Sequence, residues 1–183
     1  SWTGGYDPAV GTDARNTFGG IADMTGVIYY GSTGWYVDLT FTGLDPTKEY
    51  TFATSATRCG DTSYADRITI YTLSGADTYT QASTSGVTVN APNQVQFCTG
   101  RNYDAGYVAR WTGVTAADGS FTVRAQATGS QNKAYSFDVF MLQEIGSEPP
   151  TNTAPVVSDI PNQMITEGST FATINLDDYV TDI

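Results

Sequence analysis

Apolar and polar residues alternate from Trp35 to Thr42. Trp35, Val37, Leu39 and Phe41 fall on one face, and Tyr36, Asp38, Thr40 and Thr42 on the other. After a break at Gly43 and Asp45-Pro46, Tyr50, Phe52, Thr54 and Ala56 share a face again. A period of two is that of half-buried antiparallel strands. Pro presets φ and Asp can bond its own backbone, so the break reads as a turn. The two segments are expected to form a central hairpin.

Further strands are predicted at Gly26–Tyr30, Arg67–Leu73, around Tyr79, at Val87–Val89, Gln94–Cys98, Tyr107–Trp111, Phe121–Ala127 and Tyr135–Leu142. Turn residues separate them, with Asn90-Ala91-Pro92-Asn93 and Asp118-Gly119 the strongest signals. The last strand is apolar on both faces toward its end, which predicts a central strand covered on two sides. Residues 1–23 read mostly as loop, with Trp2 and Phe18 over the edge of the sandwich. No helical period is evident. The expected fold class is all-β: an antiparallel, jelly-roll-like β-sandwich over residues 1–145. A closed barrel is the alternative.

The pattern stops at Gly146–Pro155, which holds three prolines and no aromatic residue. It reads as an extended linker. Residues 156–183 then read as the first strands of a second, incomplete β domain, too short to bury a core alone. These strands are expected to be continued by further chain or to pair with another chain.

Composition narrows the function. The formal charge is −11 and the eight basic residues are scattered. That argues against nucleic acid, whose phosphates need a concentrated basic face. The acidity reads as solubility in a secreted protein or, in part, as calcium binding. No apolar run approaches the roughly 18 residues that span a bilayer. There is no signal peptide, so Ser1 reads as a processed or cut terminus. The chain has no histidine, which removes Ser-His-Asp and Cys-His engines and most zinc sites. The carboxylates lie mostly in turns, and nothing aims Asp38 and Asp138 into one cleft. The chain is expected not to be an enzyme.

Sugar recognition needs flat aromatic faces and planar polar groups, and no acid or base. Trp2, Tyr6, Trp35, Tyr64, Arg67, Tyr103 and Trp111 are the candidates. Trp35 and Trp111 sit on alternating strand faces and read as core. Tyr64 and Tyr103 stand in polar loops, so the expected ligand-binding set is Tyr64, Arg67, Asn102 and Tyr103. The competing reading of Asp66-Arg67 is a surface ion pair. Asp61, Asp66 and Asp104 lie in loops where a structural calcium would need converging oxygens; the competing reading is solvated turn carboxylates. Cys59 and Cys98 each end a predicted strand and open a polar loop. Ends meeting at one rim would allow a disulfide between them; the alternative is two buried thiols.

Gly43–Phe52, Tyr64–Arg67, Gly106–Trp111, Asp118–Val123 and Ala134–Leu142 together resemble a β-sandwich accessory module of large secreted bacterial and archaeal multidomain proteins. Its closing pattern is similar to carbohydrate-binding jelly rolls. The resemblance implies an extracellular or cell-surface module that binds glycan or a cell-surface polymer. Asn152–Gln163 and Asp177–Asp182 resemble the opening of a cadherin-like, immunoglobulin-type repeat. That implies neighbouring Ig-like domains, and calcium held by Asp177, Asp178 and Asp182. The rival function is architectural: a repeating subunit of an adhesin, sheath or filament, held by strand contacts between identical subunits.

Overall fold

The computed structural model describes residues 2–30, 34–60, 62–128, 133–146, 156–175 and 178–181. The expected calcium ligands Asp177 and Asp182, the loop residue Asp61 and residues 147–155 of the expected linker lie outside them. The chain divides into two compact units, residues 1–145 and 146–183.

The first unit is an antiparallel β-sandwich. Its elements are β1 (Trp2–Gly4), α1 (Asp13–Phe18), β2 (Gly26–Tyr30), β3 (Tyr36–Thr42), β4 (Tyr50–Ser55), β5 (Ile68–Ser74) and β6 (Thr78–Gln81). They continue with β7 (Thr88–Ala91), β8 (Gln94–Cys98), β9 (Ala109–Thr115), β10 (Ser120–Thr128), β11 (Ala134–Tyr135) and β12 (Val139–Glu144). One sheet has the order β3-β10-β5-β8-β7 and the other β12-β4-β9-β6; β1-β2-β11 form a small third sheet. Every strand pair is antiparallel.

The core lies between the two large sheets. Tyr71, Leu73, Val95, Phe97, Phe121 and Val123 from one meet Phe52, Trp111 and Val114 from the other. Phe41 of β3 packs edge-on against Phe52 of β4, with ring centroids 5.7 Å apart. That contact corrects the expected hairpin. The faces of β3 and β4 are as the alternation indicates, with Tyr36, Asp38, Thr40 and Thr42 exposed. The two strands, however, belong to different sheets: β3 pairs only with β10, and β4 with β9 and β12. Residues 43–49 are long for a tight hairpin loop, and they carry the chain across the sandwich. The Asp118-Gly119 turn makes the same crossing from β9 to β10.

Two further expectations change. Residues 1–23 contain a short helix, α1, whose Thr12 N-cap accepts a hydrogen bond from Arg15 N. Its apolar face, Ala14 and Phe18, covers the outer side of the four-stranded sheet with Met24, against Ala53, Val108 and Val139. Six residues are too few to show a helical period, which is why the segment reads as loop. The strand after Tyr135 is the edge of its sheet and not its centre. Its two-sided burial comes from the α1 cluster on one face, which Met141 joins, and the sandwich core on the other, which Leu142 joins.

In the second unit, β13 (Val156–Val157) pairs with β14 (Val180–Thr181). Residues 171–175 form no strand; the Gln163 side chain bonds both the N–H and the carbonyl of Ala172. Met164 is 98% exposed and Phe171 62%.

Candidate functional site

A cleft opens at one rim of the sandwich, with Tyr29, Arg58, Tyr64 and Tyr135 on its walls. Each wall comes from a different element. Tyr29 and Tyr135 face each other across β2 and β11, where they are register partners, with ring centroids 6.4 Å apart. Arg58 follows β4, and Tyr64 ends a 3-10 turn, Thr62–Tyr64. Tyr64 stands edge-on to Tyr135 at 6.0 Å, and the Arg58 guanidinium lies 5.3 Å from the centre of the Tyr64 ring. Arg58 Nη1 also donates to Gly4 O at 2.9 Å, which fixes its direction. The cleft encloses about 210 Å³. That is below the roughly 300–1,000 Å³ of sites that engulf a drug-sized ligand, so it suits one ring or a chain end.

The cleft is built on a stiff floor. Thr69 Oγ1 donates to Tyr135 O at 2.8 Å and shares a 2.8 Å hydrogen bond with Thr99 Oγ1. Tyr71 Oη donates to Ser136 O at 2.6 Å. Val27, Ala56 and Tyr135 form the apolar layer against which Tyr64 packs. Gly100 lets the Tyr64 turn approach: a Cβ there would come 2.6 Å from Arg67 Cβ and would collide with the Tyr64 carbonyl. Burial pushes the Tyr135 hydroxyl above its ordinary pKa of 10.0, against the opposing pull of the nearby Arg58 charge. The phenol is therefore neutral and able to donate a hydrogen bond at physiological pH.

Of the four residues expected to bind ligand, only Tyr64 lines this cleft. Asn102 is fully buried. Its Nδ2 donates to Tyr107 O at 3.0 Å and Ser55 Oγ at 3.2 Å, and its Oδ1 accepts from Tyr107 N at 2.8 Å. It ties its loop to β4 and has nothing left for a ligand. Tyr103 lies against Gly60, with ring atoms 3.4 Å from a Cβ built there. Arg67 pairs with Asp66 at 3.4 Å, the competing reading of that dipeptide, and its Nη1 is sealed from solvent. The other three walls, Tyr29, Arg58 and Tyr135, lie outside the expected set. Tyr29 and Tyr135 lie in strands, and only the β2–β11 pairing, invisible in composition, turns them toward one rim.

The expected Cys59–Cys98 bridge is not formed. Cys98 shares the face of β8 with Gln94 and Gln96, turned away from the core residues Val95 and Phe97, and its Sγ faces Ala65 O at 3.3 Å. Cys59 is buried and donates to Gly100 O at 3.4 Å. Both do lie at the ends of neighbouring segments: Cys59 N donates to Gly100 O at 3.2 Å. The Cys59 thiol is taken up by Gly100 O and the Cys98 thiol by Tyr64 O and Ala65 O, so proximity of the backbones does not join them.

Among the described residues no group of three or more His, Cys, Asp or Glu side chains converges on a metal position. Asp104 stands 3.8 Å from Arg101, and the exposed Asp178 accepts from Asn175 Nδ2 at 3.4 Å. Among the described residues Asp138 is the one carboxyl whose pKa is pushed strongly upward. Burial pushes its pKa well above 3.8, although Oδ2 accepts a hydrogen bond from Thr57 N. The residue keeps some exposed surface, but Oδ1 is sealed from it and has no hydrogen-bond partner among the described residues.

A second surface competes with the cleft. On the outer face of the five-stranded sheet, Tyr36 is 52% exposed under the Arg124 guanidinium, 3.7 Å from its ring centre. There Arg124 is already committed, with two 2.8 Å bonds to the Asp38 carboxylate. The neighbouring Thr40 and Thr122 hydroxyls bond each other at 2.9 Å. The polar groups of that face are spent on one another.

No protein-family model, curated protein or solved structure matches the chain.

Proposed function

We propose that residues 1–145 form a non-catalytic module of a secreted or cell-surface protein, which binds glycan at the rim cleft. One observation carries this reading: three tyrosines and an arginine from four separate elements converge on an open, ring-sized cleft. Aromatic faces bury the apolar side of a pyranose, while phenol hydroxyls and guanidinium N–H groups take its hydroxyls. Such a site binds without an acid–base pair. The resemblance to secreted β-sandwich modules supports the extracellular setting, and the separate cadherin-like resemblance of Asn152–Gln163 and Asp177–Asp182 supports the reading of residues 156–183 as the start of an immunoglobulin-type repeat. Calcium held between repeats by Asp177, Asp178 and Asp182 rests on that resemblance alone.

Affinity electrophoresis through gels containing soluble polysaccharides tests the site. Wild-type protein is expected to be retarded by at least one polymer. Tyr64→Ala, with an unchanged melting profile, is expected to lose that retardation, as an aromatic platform contributes about 1 kcal/mol or more. Undiminished retardation of Tyr64→Ala would move the site elsewhere.

The architectural reading keeps one observation in its favour. Met164 and Phe171 are large apolar side chains left open on the second unit. Large exposed apolar surface marks contact with other protein, here neighbouring Ig-like domains or identical subunits.

A further inference from the structure

We infer that the sugar seated in the rim cleft carries a carboxylate, so that the ligand is an acidic, uronate-bearing polysaccharide selected by Arg58. This rests on the glycan reading of the same cleft and adds the chemical class of the ligand.

The inference starts from a comparison of the cations. Arg15, Arg67, Arg101, Arg110 and Arg124 each lie within ion-pair distance of an Asp, and Lys48 of Glu144. In a chain with 19 acidic and eight basic residues, such pairing is the expected fate of a cation. Among the described residues Arg58 has no carboxylate partner. It is nevertheless held in place, by Gly4 O on one side and the Tyr64 ring on the other. A guanidinium offers five donors in a planar fork; Gly4 O takes one of them and the Tyr135 hydroxyl another.

A partly buried charge with no carboxylate beside it among the described residues is costly unless an anion completes it. The shape of the gap limits that anion. A carboxylate is planar and accepts two parallel N–H bonds from a guanidinium. In a cleft walled by Tyr29, Tyr64 and Tyr135, the rest of the ligand must offer a flat apolar face with hydroxyls around it. A uronate ring has both parts: the carboxylate is attached to the ring that stacks. A neutral sugar would satisfy the tyrosines and leave Arg58 unpaired, while a small free anion would satisfy Arg58 and leave the tyrosines bare.

The test is binding of the 183-residue chain to polygalacturonate, alginate and hyaluronate, each beside its carboxyl-reduced neutral form. Dextran sulfate serves as a control for bare charge. At least one acidic polymer is expected to bind about tenfold or more tighter than its reduced form, the scale of a charge-assisted hydrogen bond. Arg58→Gln is expected to erase that preference while leaving the weaker neutral binding, and Arg58→Lys to restore part of it. Circular dichroism confirms that each variant is folded, and Arg58→Lys serves alone if Arg58→Gln is not. Equal affinity for acidic and reduced polymers would overturn this inference and leave the glycan reading standing. So would a preference that survives in Arg58→Gln, or binding of dextran sulfate as tight as that of the polyuronates. Binding to none of the polymers would overturn both readings.

Discussion

Replacing Trp111 by Ala is expected to lower the melting temperature by roughly 6–20 °C, from a cost of about 3–5 kcal/mol. Trp111 is 0% exposed at the centre of the sandwich core. Its ring stands 6.3 Å from that of Phe52, and its indole N–H donates to Pro92 O at 3.0 Å. The substitution thus leaves a large cavity and also strands a carbonyl between β7 and β8. That cost is a large share of the 5–15 kcal/mol typical of a domain. Trp111→Phe should recover most of the packing but not the hydrogen bond, and so fall between the two. Differential scanning calorimetry of the three proteins decides the matter. A shift below about 2 °C for the alanine variant would mean that the two sheets do not close over this residue.

The second large effect is expected at Asn102. Asn102→Ala removes three hydrogen bonds; the Tyr107 N–H is left without its partner, while the Tyr107 carbonyl keeps the 2.9 Å bond from Ser55 Oγ. The unsatisfied donor costs about 1–3 kcal/mol and each of the other two lost bonds about 0.5–1.5 kcal/mol, so a loss of roughly 2–5 kcal/mol is expected. Asn102→Asp separates the chemistry from the shape. At neutral pH the carboxylate can accept from Tyr107 N but cannot donate to Tyr107 O or Ser55 Oγ, and its charge is buried. Its folded-state pKa is therefore raised above its unfolded value. The stability of this variant is fully present below about pH 4 and is lost as pH rises through the folded-state pKa. Urea denaturation at pH 4 and pH 7 should show Asn102→Asp approaching the wild type only at the lower pH. An equal deficit at both pH values would mean that Asn102 acts through packing and not through its donor.

Much of the strand pattern was readable from the residues alone. Strict alternation in Tyr36–Thr42 and Phe121–Ala127 marks which side faces the core, because a one-residue slip would exchange the two faces. Which strands pair was not readable. A turn after Phe41 serves a hairpin or a crossing between sheets equally well at the level of residue type, and only the length of 43–49 hinted at the crossing. Asn102 shows the converse difficulty. A polar residue in a polar loop looks available to a ligand, yet here its polarity is spent on the backbone of Tyr107. Tyr29 and Tyr135 read as strand residues because they are strand residues; their use at the rim depends on a short third sheet formed by segments more than a hundred positions apart. Arg58 carries no distinguishing signal in the sequence, where Asp61 stands three residues on, the same spacing as the Arg101–Asp104 pair.

Recognition at the rim cleft, and not on the open sheet face, is tested most directly by mapping amide shifts in the ¹⁵N-labelled 183-residue chain during titration with oligogalacturonate. Expected are saturable shifts clustered at residues 28–30, 57–64 and 134–136, absent in Tyr64→Ala. Shifts clustered instead around Tyr36, Thr40, Thr122 and Arg124, or a spectrum unchanged by every acidic and neutral glycan tried, would contradict it.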